Sequence, residues 1–253
     1  MEILKPSLLL YYYPRKENET FLEAQAKARR FAKSDKFSLI LFVTREANHP
    51  GGDFIDEIGH YFYGMRMRAT KRKISTRVWY APRDLVAHLC EPSYDFKALI
   101  EATGRSPIVL TDIFPKCLLD KEKSKHDIRI AQTRSELENH FKKIFFYEEL
   151  WQRIKLVVFS LEPSITDGRE ERYREARELF QTSIQKRYGK KEFLSVPFFG
   201  MGIHRFMNIE YWGAWDEQMR VLGDGIAKFY PGHKKLVSSI VGDYKSKANS
   251  SNE

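Results

Sequence analysis

The chain has 253 residues, of which 42% are hydrophobic and 14% aromatic. This apolar content suffices for a sizeable core and argues against a disordered chain, although 30% of the residues are charged. Lysine and arginine outnumber aspartate and glutamate by 43 to 34, and the resulting net charge of +9 favours a phosphorylated or polyanionic partner. Two cysteines, and no apolar run of bilayer-spanning length, predict a cytoplasmic protein without membrane contact.

Six short segments rich in β-branched and aromatic residues predict strands. They are Leu8–Tyr13, Phe37–Val43, Arg77–Tyr80, Pro107–Leu110, Ile154–Ser160 and Glu192–Val196. Several of them are continuously apolar, as is typical of strands that are covered on both faces.

Amphipathic segments between these strands predict helices. Ser135 and Glu138 have the spacing of a capping box ahead of a stripe that reaches Trp151. A second helix is predicted from a cap at Asp167 to a stop at Gly189, with the apolar stripe Tyr173, Ala176, Phe180 and Ile184. A third has the stripe Trp215, Met219, Leu222, Ile226 and Phe229 and stops at Pro231 and Gly232.

The alternation of strands and helices predicts a Rossmann-like α/β fold with a mainly parallel sheet and helices on both faces. The charged stretch at 118–127 divides an N-terminal βαβ-type unit, 1–117, from a helix-rich second half, 118–253. Whether the two parts form one domain stays open. The polar residues 245–253 are expected to be a frayed tail.

Basic residues follow each of the first three predicted strands. Arg15 (with Lys16), Arg45 and Arg83 occupy these positions, and Asp112 and Glu162 follow the next two strands. Ligands of open parallel sheets bind beyond the carboxyl ends of the strands, so the three arginines are candidate phosphate-binding residues. The alternative is that these loops are charged only because they are solvated.

A helix predicted from Asp53 to Gly64 carries candidate catalytic residues. Asp53, Asp56, Glu57 and His60 fall on one face at spacings of three and four, opposite an apolar face. A carboxylate beside a second acid or an imidazole can act as nucleophile or general base. Acids in a first helical turn also complement the helix dipole, which is the simpler explanation of the pattern.

The same segment gives little support for a metal or a cofactor. Glu57 and His60 form one Glu-x-x-His pair, whereas a di-metal bundle needs two. Gly51-Gly52 follows a strand but matches neither the dinucleotide-binding nor the P-loop pattern. We therefore expect no metal and no bound cofactor.

The run SLILFVTREANHPGGDFIDEIGHYFYGM, residues 38–65, resembles the nucleoside 2-deoxyribosyltransferase-like group of N-glycosidases. In that family an apolar strand leads through a glycine-containing loop to a helix that carries a catalytic glutamate. The resemblance implies that Glu57 attacks or stabilises the anomeric carbon of a sugar and that Asp53 lies near the sugar or base. It implies an enzyme that cleaves or transfers the N-glycosidic bond of a nucleoside or nucleotide.

Two other segments predict different functions. Residues 65–83 contain no acid and carry the basic residues Arg66, Arg68, Lys71, Arg72, Lys73, Arg77 and Arg83. With Trp79 and Tyr80, this segment has the composition of a DNA- or RNA-binding surface, or of a solvated loop that leads into a strand. Residues 196–215 contain six aromatic residues, which suit a core, a ligand pocket or a protein-interaction module.

Overall fold

The computed structural model describes residues 13, 19–44, 77–90, 96–113, 134–145, 148–162, 170–197 and 210–250. The helices in these ranges are α1 (Phe21–Ser34), α2 (Arg77–Cys90), α3 (Phe96–Thr103), α4 (Arg134–Ile144), α5 (Glu148–Arg153), α6 (Glu170–Tyr188), α7 (Glu210–Phe229) and α8 (Pro231–Ser250). The strands are β1 (Leu39–Thr44), β2 (Ile108–Asp112), β3 (Ile154–Glu162) and β4 (Glu192–Pro197).

The four strands form one parallel sheet in the order β2-β1-β3-β4. This order is that of the first four strands in a common doubly wound arrangement. The predicted α/β fold with a parallel sheet is therefore confirmed. β1 and β2 come from the predicted N-terminal unit and β3 and β4 from the second half, so both parts contribute strands to the same sheet.

Helices cover the sheet on both faces. Every residue of β1 is buried, and because successive side chains of a strand point to opposite faces, both faces must be covered. α8 packs on β1 and β3 beside α2 and α3, whereas α6 packs on β3 beside α4. Connections between parallel strands are right-handed, so the face on which a connecting helix lies depends on the direction in which the chain moves along the sheet. The chain moves one way from β1 to β2 and the other way from β2 to β3 and β4. The connecting helices therefore form two layers, one on each face.

Aromatic side chains fill the layer between α6 and the sheet. The predicted stripe Tyr173, Ala176, Phe180 and Ile184 is buried, and Gly189 after the helix has a φ of 75°, which glycine adopts without a steric cost. Trp151 is fully buried, and its indole N–H donates to the Ile144 carbonyl at 2.8 Å. The predicted single helix from 135 to 151 is thus two helices, α4 and α5, and this hydrogen bond connects them.

The predicted strand Arg77–Tyr80 is wrong, because these residues begin the helix α2. The β-propensity of Val78, Trp79 and Tyr80 is outweighed by a longer helical pattern. Pro82, Leu85, Val86 and Leu89 are buried at the three- and four-residue spacings of one helix face. The other strand predictions in the described ranges are confirmed to within a few residues at each end, and Leu8–Tyr13 lies outside those ranges apart from Tyr13.

Helix ends also differ from the predictions. α4 begins at Arg134, so Ser135 lies inside the helix, and a capping box is instead formed by Thr20 and Glu23 at the start of α1. Pro231 stops α7 as predicted but also begins α8, which fits the preference for proline in a first helical turn. α8 continues to Ser250, through most of the tail that was expected to be frayed.

Candidate ligand-binding edge of the sheet

All four strands end at the same edge of the sheet, which we call the carboxyl edge. Thr44 is paired with Asp112 in register, and Val43 is paired with Phe159. Beyond the last residue of β2, the Ile113 amide donates to the Thr44 carbonyl at 2.8 Å, which extends the pairing of β1 and β2 to the rim. The ends of β1, β2 and β3 therefore present a continuous rim.

The chain reverses direction across the sheet between β1 and β3. After β1 it passes outward to β2, and after β2 it crosses back over β1 to β3 and then β4. The described helices that come after β1 and after β3, α2 with α3 and then α6, lie on opposite faces of the sheet, so the carboxyl edge between these two strands is a topological switch point. Ligands of doubly wound sheets bind at this switch point.

Thr44 is the last residue of β1 and lies beside this switch point. It is buried, and its hydroxyl donates to the Thr111 carbonyl at 3.4 Å, a long hydrogen bond. Ser160 lies near the end of the neighbouring strand β3 and is also buried. Two hydroxyl side chains therefore lie near the carboxyl ends of the two strands that border the switch point.

Arg83 does not lie at the carboxyl edge as a strand-end residue. It lies inside α2, and its guanidinium donates to the carboxylate of the adjacent Asp84 from Nε at 3.0 Å and from Nη2 at 2.9 Å. The prediction that Arg83 follows a third strand is wrong, because the preceding residues are helical, whereas its contact with a phosphate stays a prediction. Both partners remain partly exposed, so the pair adds little stability.

The other predicted site residues are not among those that the structure describes. Glu57, Asp53 and His60 lie outside the described residues, as do Arg15 and Arg45. The same holds for the basic residues Arg66, Arg68, Lys71, Arg72 and Lys73, whereas Arg77 is the first residue of α2. Most of the aromatic segment 196–215 also lies outside these ranges.

A charged cluster that the sequence analysis did not identify lies at the opposite, amino edge. Asp35 follows α1, and its side chain is only 6% exposed. One of its oxygens lies 2.7 Å from Nε of Arg105, and the other lies 3.8 Å from Nζ of Lys247. The Arg105 guanidinium also stacks 3.8 Å above the ring of Phe31, so three charges and a ring join α1, α8 and the start of β2.

Two further buried cations lie at the amino edge. Arg153, at the end of α5, donates to the backbone carbonyls of Phe37 and Ala32, and this ties β3 to the segment before β1. Lys191 precedes β4, and its ammonium donates to the Gln152 carbonyl at 3.4 Å. Burial, with a smaller effect of Lys155, lowers the pKa of Lys191. Because each cation is directed at a neighbouring element, these contacts stabilise the amino edge of the sheet.

In the described ranges, no group of three or more histidine, cysteine, aspartate or glutamate side chains is arranged to hold a metal ion. None of the helices in these ranges combines the length and apolar character that crossing a bilayer requires.

Comparisons with protein-family models, with curated proteins and with solved structures found no match to this chain.

Proposed function

We propose that the protein binds a nucleotide at the carboxyl edge, in the crevice between the ends of β1 and β3. The observation that carries this proposal is the reversal of the chain between these strands, since doubly wound sheets bind their ligands at such a point. The net charge of +9 supports an anionic ligand, because it attracts phosphates over long distances.

Arg45 is the best candidate for the phosphate contact. It is the residue directly after Thr44, the last residue of β1. A guanidinium can donate two parallel hydrogen bonds to a phosphate, which a lysine cannot do with the same geometry. Arg15 is a second candidate from its sequence position, whereas the Arg83 guanidinium already pairs with the Asp84 carboxylate inside α2.

Binding is tested by titrating the protein with a nucleoside 5′-monophosphate, the matching nucleoside and inorganic phosphate. We expect the monophosphate to bind best and Arg45→Gln to weaken its binding by about tenfold to a hundredfold, the worth of a charge-assisted hydrogen bond. Arg30→Gln is the matched control, because Arg30 is exposed on α1 near the amino edge. Equal binding of nucleoside and nucleotide, or equal losses in both variants, would contradict the proposal.

The proposed reaction at this site is cleavage or transfer of an N-glycosidic bond, with Glu57 as the catalytic carboxylate. The bond from the sugar carbon to the base nitrogen breaks, and the base leaves with a proton. The sugar carbon becomes cationic in the transition state, so a carboxylate nearby stabilises it until water or another acceptor attacks. The support for this step is the resemblance of residues 38–65 to the glycosidase family.

The reaction is tested by incubation with nucleosides, nucleotides and NAD, followed by chromatography for free base. We expect base release by the wild-type protein and a loss of at least about a hundredfold in Glu57→Gln, because general acid–base groups contribute this much. Glu178→Gln removes a carboxylate from the exposed side of α6 and serves as the control. Absence of base release, or an unchanged rate in Glu57→Gln, would remove the reaction but leave nucleotide binding as a separate question.

A further inference from the structure

The junction of α7 and α8 forms an exposed corner of unusual composition. It consists of Lys228, Phe229, Tyr230, Lys234 and Lys235, and we call it the aromatic–basic corner. Two adjacent aromatic residues are exposed here, Phe229 to 70% and Tyr230 to 52%. Exposed aromatic rings are a more informative observation than scattered aliphatic ones, because burying such a ring would stabilise the fold by about 1.5–3 kcal/mol.

The hydrophobic core does not use these two rings. The apolar stripe of α7 ends with the buried Met219 and Ile226, and α8 turns Val237, Ile240 and Val241 into the core. The predicted place of Phe229 in the α7 stripe is therefore wrong, since its ring faces solvent. The ring of Tyr230 meets that of His233 edge to face, with 5.5 Å between centroids, which holds one side of the corner in place.

The positive charge of this corner is not compensated locally. No aspartate or glutamate occurs in the sequence between Asp224 and Asp243. The Asp224 carboxylate lies 2.8 Å from the Arg220 guanidinium, so it is already engaged on α7. Among the described residues, Lys228, Lys234 and Lys235 make no ion pair, although the Lys228 ammonium lies 5.3 Å from the Phe229 ring centroid.

The direction of α8 indicates where the corner lies. The C-terminal half of α8 is at the amino edge, because Tyr244 packs on Phe37 with 4.8 Å between rings and Lys247 lies 3.8 Å from Asp35. From Tyr244 back to Tyr230 the helix extends about 21 Å, at about 1.5 Å per residue. The extended segment from Phe37 to Thr44, which includes β1, has about the same length. The start of α8 therefore lies at the level of the carboxyl edge.

We propose that the aromatic–basic corner binds single-stranded nucleic acid. Bases would stack on Phe229 and Tyr230, while Lys228, Lys234 and Lys235 neutralise the phosphates between them. Within residues 228–235 the two rings are flanked by Lys228 on one side and by Lys234 and Lys235 on the other, so stacking groups and phosphate-binding groups lie close together in the chain. The residues of this corner differ from those of the basic segment 65–83 and from those proposed to bind the nucleotide phosphate.

An anionic membrane surface is the competing partner for a basic surface with exposed rings. Interfacial helices that bind membranes expose a continuous apolar face. α7 and α8 instead turn Met219, Ile226, Val237, Ile240 and Val241 toward the core, and between residues 219 and 247 the exposed large apolar side chains are Val221 and the two rings of the corner. The geometry therefore favours stacking on single bases over insertion between lipids.

The proposal is tested by fluorescence anisotropy with labelled single-stranded DNA and RNA oligonucleotides at several salt concentrations. We expect Phe229→Ala/Tyr230→Ala to weaken binding by about tenfold or more, because each stacked base contributes about 1–3 kcal/mol. We expect Lys234→Gln/Lys235→Gln to reduce the slope of log K against log salt by about 1.4, the value for two phosphate contacts of a single strand. Circular dichroism and melting temperature should remain as in the wild type, since all four side chains lie outside the core.

Two controls make the result specific. Lys186→Gln/Lys190→Gln removes the same charge from exposed positions at the end of α6, and Leu22→Ala removes a side chain that is 74% exposed. Binding that none of the corner variants weakens, or that the α6 pair weakens equally, would overturn the proposal. It would also be overturned if the corner variants lost binding to phosphatidylserine vesicles but kept oligonucleotide binding. The corner variants should keep binding of the nucleoside 5′-monophosphate, so failure at the sheet edge and failure at the corner are distinguishable.

Discussion

At the residue scale, the Asp35–Arg105 pair is the clearest case of a charge that the fold needs. Both side chains are largely buried, and the carboxylate is shared with Lys247. A buried carboxylate without its partners is strongly disfavoured, because water no longer solvates it. The pair joins the end of α1 to the loop before β2, two segments that are distant in sequence.

We predict that Arg105→Met lowers the free energy of unfolding by about 3 kcal/mol, since it removes the guanidinium that lies 2.7 Å from the buried Asp35 carboxylate. The measurement is urea unfolding followed by circular dichroism. Arg134→Met is the matched control, because Arg134 forms an exposed pair with Glu138 on α4 and should cost less than about 0.5 kcal/mol. If Asp35→Asn added its full cost to that of Arg105→Met, the two residues would not be coupled as the contact requires.

Lys191 gives a prediction of pH dependence. Burial lowers its pKa below the ordinary value of 10.5, so the unfolded chain holds a proton on this lysine that the folded protein releases at high pH. Stability should therefore rise with pH through the window between the lowered pKa and 10.5. We predict that Lys191→Met is more stable than the wild type at neutral pH and that this gain vanishes above the window.

The measurement for Lys191 is the urea midpoint of both proteins at a series of pH values. Lys190→Met is the control, because Lys190 is the exposed neighbour and its substitution should leave the pH profile unchanged. A gain in Lys191→Met that stays constant across the pH series would show that lost charge burial is not its cause.

At the element scale, contact between α2 and α7 depends on a glycine. A Cβ added at Gly223 would lie 3.1 Å from Cβ of His88, whereas one added at Gly225 would meet nothing within 4 Å. Both glycines lie in the same helix, so the loss of backbone entropy is matched between them. Comparing the same substitution at Gly223 and at Gly225 therefore separates the effect of helix propensity on stability from the effect of packing between α2 and α7.

We predict that Gly223→Val lowers the free energy of unfolding by about 1–3 kcal/mol, because the added methyl groups force α7 away from α2. Gly225→Val should be neutral or slightly stabilising, since valine has a better helix propensity than glycine. Thermal unfolding of the two variants checks both values. Equal melting temperatures for the two variants would mean that α2 and α7 do not pack as closely at Gly223.

Secondary structure could be predicted from the sequence where apolar residues kept the same spacing over a long segment. The stripe of α6, with Phe180 and Ile184 in the core, could be predicted because the 3.6-residue periodicity continues from Tyr173 to Ile184, over about three turns. α2 could not, since the run of Val78, Trp79 and Tyr80 has strong β-propensity and Pro82 normally ends a helix. Packing of the buried face of α2 against α7 and α8 decided the outcome, and such tertiary contacts are not visible in a local pattern.

At the scale of the whole molecule, the alternation of elements predicts the parallel sheet but not its strand order. The order β2-β1-β3-β4 follows from which strands pair over long sequence separations, such as Ile40 with Ile108. The carboxyl edge could therefore be predicted as the ligand side, whereas the switch point between β1 and β3 required the structure. Arg83 was predicted to follow a strand because the strand prediction for Arg77–Tyr80 used only a local pattern, and this segment is helical in the structure.

The amino edge could not be predicted as a charged cluster. Asp35, Arg105, Arg153 and Lys191 each look like loop residues in the sequence, since each stands next to a turn or a helix end. Only the parallel sheet brings the starts of all four strands together and buries these charges. These four buried charges at the amino edge thus stabilise the fold.

The central claim is that a nucleotide binds between the carboxyl ends of β1 and β3, and hydrogen–deuterium exchange with and without a saturating nucleoside 5′-monophosphate tests it most directly. If the nucleotide binds there, we expect slower exchange in peptides that cover residues 41–57 and 158–165. We expect no change in peptides that cover the amino edge at residues 31–38 and 103–107. Protection confined to the amino edge, or no protection of the carboxyl edge at saturation, would contradict it.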